Sequence, residues 1–173
     1  MAYEPSEGLY AGASFLSTNE MNKAGQDPAV FDSLYEKILS NLEGGNVLDA
    51  AGNATKKGMI AAIQISDDAS KKRVYADMAA AVSAVLGTRS KVNPGIPAKV
   101  YLTGNKWHPD VERFKINAYG MSDYNSSDVI LLYPPRTYVG ISLKKKPTAA
   151  AASPTLINNA FSKFIEGPQL KSV

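Results

Sequence analysis

Cysteine is absent from this chain of 173 residues, and histidine occurs once, as His108. The absence of cysteine excludes disulfide bonds, thiol catalysis, iron–sulfur clusters and zinc sites with thiolate ligands. A single histidine excludes a histidine-rich metal site and argues against a hydrolase triad. No run approaches the roughly 18–20 apolar residues that span a bilayer, so we expect no membrane association.

The N-terminal sequence MAYEPSEGLY lacks a basic region followed by an apolar run, so it does not predict a secretory signal. We therefore expect the protein in the cytoplasm of a host cell or in a virion. The length predicts about one domain of ordinary size.

Charge is distributed unevenly along the chain. Residues 1–70 hold four Lys/Arg and ten Asp/Glu, a balance of −6. Residues 71–173 hold fifteen Lys/Arg and six Asp/Glu, a balance of +9. A basic half indicates a polyanionic partner such as nucleic acid. We accordingly separate an acidic, helical N-terminal region, 1–70, from a core region, 71–173, within one compact domain.

Hydrophobic periodicity predicts helices in the first half. Residues 1–26 show no clear period and are interpreted as an arm or an irregular cap. A helix begins at Asp27-Pro28 and ends at Gly44-Gly45, since Pro suits a first helical turn and Gly a helix end. The remaining predictions for this half are a loop over 46–52, a helix over 55–65 (with a strand over 59–65 as the alternative), and a helix over 69–86 that ends at Gly87.

The pattern then changes to strands. Residues 99–103 read as a strand, and 128–133 form an apolar run typical of a strand buried on both faces. Pro134-Pro135 predicts a turn, after which 138–144 return as the next strand. Short helical stretches are predicted over 110–119 and 153–166, the latter packing Phe161 and Phe164 on the sheet. The fold class is α/β (α+β): a small mixed sheet with a central β-hairpin flanked by helices.

The segment SSDVILLYPPRTYVGISLKKK carries the strongest chemical signal. Alternation along its second strand directs Val139, Ile141 and Leu143 to the core, and Ser142 and Lys144 to the other face. Hairpin pairing brings Lys144 near Asp128 at the start of the first strand. A carboxylate can hold Mg²⁺ or Mn²⁺, and a neighbouring lysine can stabilise charge on a phosphate.

These residues resemble the PD-(D/E)xK, or restriction-endonuclease-like, nuclease superfamily, whose pattern is an acid, a β-hairpin and then Asp/Glu-x-Lys. The resemblance covers about residues 70–167 and implies an α-β-β-β-α core. It places Asp128 as the principal acid and Ser142-Leu143-Lys144 in the acid-x-lysine position. The SLKKK run also looks like the SLKK segment of nuclease-like proteins of marine phages, in which serine replaces the acid.

The resemblance implies catalytic roles for three residues. Asp128 would bind the metal, Lys144 would be the electrostatic catalyst, and Ser142 would position water or a phosphate oxygen. The backbone carbonyl of Leu143 would add a metal ligand. Because Ser142 is neutral, a second acid is needed, and the candidates are Asp110, Glu112, Asp123 and Glu36.

Basic residues predict a surface that follows a phosphate backbone. These residues are Lys144, Lys145, Lys146, Arg136, Lys106, Arg113 and Lys115. Tyrosines 119, 124, 133 and 138 could add base stacking. His108, in the segment WHPD, is interpreted as a polar loop residue, with a role as acid, base or metal ligand as the alternative.

The leading hypothesis is a divalent-metal-dependent nuclease domain that uses Mg²⁺ or Mn²⁺. The first alternative is a non-catalytic nucleic-acid-binding or virion structural protein on a degenerate nuclease scaffold, within a phage or a larger assembly. The second alternative is an unrelated α+β interaction module that uses residues 1–70 as an acidic contact surface.

Overall fold

The computed structural model describes residues 4–24, 27, 29–50, 52–104, 106–112 and 127–144. Within them the protein is a mixed α/β fold with six helices and one four-stranded mixed sheet, as the sequence predicts at this level. The helices are α1 (Pro5–Ala13), α2 (Thr18–Ala24), α3 (Ala29–Glu43), α4 (Ala54–Ala62), α5 (Asp68–Lys91) and α6 (Pro109–Glu112). The strands are β1 (Val47–Leu48), β2 (Lys99–Leu102), β3 (Val129–Tyr133) and β4 (Thr137–Ile141).

The sheet has the order β1-β2-β3-β4. β1 runs parallel to β2, whereas β2–β3 and β3–β4 are antiparallel. The predicted hairpin and the predicted strand beside it are confirmed, but the second hairpin strand ends at Ile141 instead of Lys144, and Ser142, which was predicted to face away from the core, is buried. The prediction that both hairpin strands lie in the middle of the sheet holds for β3 alone, since β4 is the edge strand of the described sheet. The predicted loop over 46–52 is wrong at β1, whose two residues are too few to show a period.

The most buried helix is α1, where the sequence predicted an irregular arm. Leu9 and Tyr10 are completely buried, and the helix packs against α3, α4, α5 and β2. A Cβ at Gly12 would lie 2.4 Å from the carbonyl oxygen of Ile38 on α3, so only glycine permits this close approach. Small residues give α1 little hydrophobic period, which explains why the sequence did not reveal it.

Helix α5 is longer than predicted, because it continues through Gly87. An Asp67–Ser70 capping box begins the helix. Its last turn is held by tertiary contacts: Thr88 lies 2.7 Å from the Tyr10 hydroxyl, and Arg89 donates to the Ser14 carbonyl oxygen at 2.9 Å. These contacts with α1 and its C-terminal cap outweigh the weak helix propensity of Gly87.

The sheet separates two apolar clusters. The larger cluster joins the inner faces of α1 to α5 to one face of the sheet and draws on residues on both sides of position 70. The smaller cluster lies on the other face and contains Tyr101, Trp107, Val111 and Ile130. Val139 and Ile141 belong to the larger cluster and Leu143 packs against it, as predicted.

Some predictions fall on residues that the structure does not describe. The helix over 153–166 with Phe161 and Phe164 lies outside the described residues, as does the part of the predicted 110–119 helix beyond Glu112. None of the described helices combines the length and apolar character that a membrane span requires.

Candidate functional site

The open end of the β3–β4 hairpin assembles the candidate site. Val129 pairs with Ile141 and also with Leu102, so the start of β3, the end of β4 and the end of β2 meet at one edge. Asp128 immediately precedes β3, and Ser142 to Lys144 immediately follow β4. The antiparallel register therefore brings the predicted acid and the predicted S-x-K segment together.

Asp128 is bonded to two neighbouring strands. Its backbone N–H donates to the Ile141 carbonyl oxygen at 2.8 Å, and its own carbonyl accepts from the Thr103 hydroxyl at 2.9 Å. The side-chain Oδ2 accepts a 2.6 Å hydrogen bond from the Leu143 N–H. This last bond fixes the carboxylate beside the S-x-K segment and leaves Oδ1 with no hydrogen bond among the described residues.

Helix α1 supplies a second carboxyl that the sequence analysis did not select. Burial, followed by the charge of Asp128, raises the pKa of Glu7 to about 7. Glu7 lies in the first turn of α1, where the helix dipole alone would favour the ionised form. Burial and the charge of Asp128 act in the opposite direction, and both favour the neutral carboxyl.

Glu7 was missed because residues 1–26 were interpreted as an irregular arm. One signal was available in the sequence. Glu7 directly precedes a stretch of small and apolar residues, from Gly8 onward, whose composition is unlike that of a solvated surface. A carboxyl at the edge of a buried segment is a candidate for a perturbed pKa and for function.

Ser142 is buried, with 1% of its surface exposed. Its Oγ is the one buried side-chain polar atom without a hydrogen-bond partner in the described part of the chain. Leaving such a hydroxyl unpaired costs about 1–3 kcal/mol, so a water or a ligand oxygen that reached it would be stabilised by the bond.

Lys144 is exposed and belongs to none of the ion pairs formed between described residues. Within that part of the chain its ammonium group has no acidic partner. Lys106, also exposed, follows β2 at the same end of the sheet. Arg136 lies at the opposite end of the sheet, in the turn between β3 and β4. The rise along β3 separates this turn from Asp128 by about 15 Å. Lys145 and Lys146 lie outside the described residues.

Three of the other predicted acids are described, and none of them hydrogen-bonds to Asp128 within that part of the chain. Asp110 accepts a 2.9 Å hydrogen bond from the Tyr101 hydroxyl, and its Oδ2 is 3.5 Å from His108 Nδ1. Its helix, α6, packs through Val111 on the smaller apolar cluster. Glu112 is exposed on the same short helix, Glu36 lines a groove beside α3, and Asp123 lies outside the described residues.

The open end of the hairpin offers oxygen atoms that could coordinate a divalent cation. Mg²⁺ is commonly held by one or two carboxylates together with waters and substrate phosphates. Glu7 and Asp128 supply two carboxylates, and the Ser142 hydroxyl and Leu143 carbonyl are further oxygens nearby in the chain. No group of three or more acidic or histidine side chains suited to a metal occurs among the residues described. A divalent cation at this end of the hairpin would therefore depend on two carboxylates at most among the described residues.

Comparisons with models of protein families, with curated proteins and with solved structures gave no match. The assignment of function therefore depends on the geometry of the site.

Proposed function

We propose that the protein is a divalent-metal-dependent nuclease of the restriction-endonuclease-like type, which hydrolyses phosphodiester bonds of nucleic acid. The observation that carries the proposal is the open end of the hairpin, where the Asp128 carboxylate accepts a hydrogen bond from the Leu143 N–H of the S-x-K segment and Lys144 is exposed. Glu7 adds a partly buried carboxyl whose pKa is raised by burial and by the charge of Asp128, and fold stability alone does not require such a group.

Each residue of the site has a role in this proposal. Asp128 and Glu7 would hold Mg²⁺ or Mn²⁺, which would supply a water of lowered pKa and neutralise phosphate charge. The Leu143 N–H orients the Asp128 carboxylate. Lys144 stabilises the negative charge that accumulates on the phosphate. The Ser142 hydroxyl donates a hydrogen bond to a phosphate oxygen or positions a water molecule.

The protonation of Glu7 links the site to pH. At pH values below its pKa of about 7 the carboxyl is predominantly neutral, and a proton competes with a cation for the same oxygens. Cation binding therefore tightens as the pH rises through 7, and this is measurable without any nucleic-acid substrate.

The direct test is cleavage of labelled single- and double-stranded DNA and RNA in the presence of Mn²⁺ or Mg²⁺, with EDTA controls. We expect metal-dependent cleavage that Lys144→Ala abolishes and the matched variant Lys57→Ala retains, since Lys57 is an exposed lysine on α4. Cleavage that persists in EDTA, or in Lys144→Ala, would contradict the proposal.

A second candidate function is a non-catalytic nucleic-acid-binding or virion structural protein on a degenerate nuclease scaffold. Two observations favour it: serine occupies the acid position, and one Asp128 oxygen is already bonded to Leu143 N–H. Salt-dependent nucleic-acid binding without cleavage would establish this candidate. Ser142→Asp, which restores a carboxylate, would then be expected to raise the affinity for Mn²⁺ measured by calorimetry.

A further inference from the structure

A groove of about 660 Å³ lies between α3 and the first turns of α5, away from the hairpin site. Its apolar lining includes the partly buried Leu39, Ile65 and Tyr75. Two exposed carboxylates of α3, Asp32 and Glu36, lie along it. We refer to these five residues as the acidic groove.

The acidic groove already binds one cation from its own chain. Lys71 Nζ lies 3.1 Å from Asp32 Oδ1 and 5.3 Å from the centre of the Tyr75 ring, and the Tyr75 hydroxyl also bonds to Asp32. A carboxylate together with an aromatic face is a favourable site for a lysine or arginine. Glu36 forms no ion pair with any described residue, so it remains available for a second cation.

A surface of matching character lies where α5 leads into β2. Val92 and Ile96 are the exposed large hydrophobic residues of the described chain, with 50% and 48% of their surfaces accessible. The β3–β4 turn lies beside this segment, because Ala98 N–H donates to the Leu132 carbonyl at 2.8 Å. Lys99 and Arg136 are exposed there. We refer to Val92, Ile96, Lys99 and Arg136 as the basic end.

The two surfaces cannot meet within one molecule. The acidic groove lies at the N-terminal end of α5 and the basic end at its C-terminal end. At a rise of about 1.5 Å per residue, Tyr75 and Val92 are about 25 Å apart along one straight helix.

We infer that the basic end of one molecule docks in the acidic groove of a second copy. Val92 and Ile96 would cover the apolar lining, while Lys99 and Arg136 would face Asp32 and Glu36. Such a contact joins unlike surfaces, so each molecule can form it twice, either with two neighbours in a ring or filament or reciprocally with one partner in an antiparallel dimer. The assembly does not depend on the nuclease proposal, because neither surface includes Glu7, Asp128 or Lys144.

The full chain should show this association in sedimentation velocity over a concentration series. We expect the mean mass to rise with concentration at low salt, and the association to weaken as salt screens the charges. Glu36→Lys in the groove and Ile96→Asp at the basic end should each reduce self-association at least tenfold. Glu43→Lys, on the same helix but outside the groove, should leave it unchanged.

Mixing the two disabled variants provides the decisive measurement. Each retains one intact surface, so an equimolar mixture of Glu36→Lys and Ile96→Asp should form a heterodimer that grows no further. Both substitutions are at exposed positions, and unchanged circular dichroism and melting temperature should verify folding. A wild-type protein that is monomeric at low salt throughout the series, or a mixture that forms no heterodimer, would overturn the inference.

Discussion

Two aspartates at the same end of the sheet, Asp49 after β1 and Asp128 before β3, are used differently. Asp49 is 5% exposed, and both of its oxygens accept backbone hydrogen bonds, from Ala50 N–H at 2.7 Å and Lys56 N–H at 2.9 Å. Asp128 accepts one side-chain bond, from Leu143 N–H, and acts through its charge on Glu7.

The difference separates a structural carboxylate from an available one. Asp49 satisfies the first turn of α4, whose own N-cap residue, Asn53, is left-handed and makes no side-chain cap. Both side-chain oxygens of Asp49 are therefore already occupied by backbone N–H groups. Asp128 Oδ1 has no hydrogen bond to a described residue, so within that part of the chain the backbone uses one oxygen of this carboxylate, Oδ2.

The largest expected effect that follows from this comparison is on activity. Asp128→Asn keeps an oxygen for Leu143 N–H but removes the charge, so metal-dependent cleavage should fall about 100–1000-fold. The melting temperature should change little, since the hydrogen bond persists. Initial rates with Mn²⁺ and a thermal melt measure the two quantities. Wild-type cleavage by Asp128→Asn would place Asp128 in the same structural class as Asp49.

Asp49→Ala should show the reverse pattern. It leaves the Ala50 and Lys56 N–H groups without their acceptor, so the free energy of unfolding should fall by about 2 kcal/mol. Urea denaturation measures this loss. Cleavage per folded molecule, assayed at low temperature, should remain within about twofold of the wild type, because the lost bonds act on stability rather than charge at the site. A loss of cleavage as large as that in Asp128→Asn would remove the distinction.

Glu7 should give the protein a measurable pH dependence of stability. Its folded pKa of about 7 exceeds the ordinary value of 4.5, so its contribution is complete below pH 4.5 and is lost as the pH rises through 7. After allowance for solvent screening, this loss is about 1 kcal/mol. Glu7→Gln should abolish it, while Glu43→Gln should retain it. Urea denaturation at pH 5 and pH 8 measures the free energy of unfolding of the wild type and the two variants. The same difference between the two pH values in all three proteins would contradict the prediction.

The smallest effect is expected for Ser142→Ala. Removal of an unpaired buried hydroxyl should leave stability unchanged or raise it by about 0.5–1 kcal/mol. If the hydroxyl meets a ligand oxygen, the same variant should bind Mn²⁺ or substrate more weakly. Stability and affinity would then move in opposite directions, which calorimetry and denaturation would detect. A large loss of stability would instead show that Ser142 has a structural partner.

The sequence predicted the hairpin well, because its evidence is local. Val139 and Ile141 alternate with other residues on β4, and Pro134-Pro135 marks the turn between two β-rich runs. Local pattern also located α3, α4 and α5, but not α1 and α2. The end of α5 was misjudged because Thr88 and Arg89 are held by residues about 75 positions away, which no local window contains.

The site was predicted only in part for the same reason. Asp128, Ser142 and Lys144 belong to one hairpin, so their proximity follows from strand pairing. Glu7 reaches Asp128 through the packing of α1, and sequence separation gave no indication of it. Asp110 was selected by residue type alone, whereas the structure engages it with Tyr101 on α6.

The close packing of α1 has a consequence for synthesis on the ribosome. Its apolar residues emerge early, yet α5 and β2, against which they pack, end about 80–90 residues later. At about 5–20 residues per second, this interval lasts roughly 5–20 s. Helices α3 and α4 are available earlier, but Leu9 and Tyr10 are incompletely covered for seconds until α5 and β2 have been made.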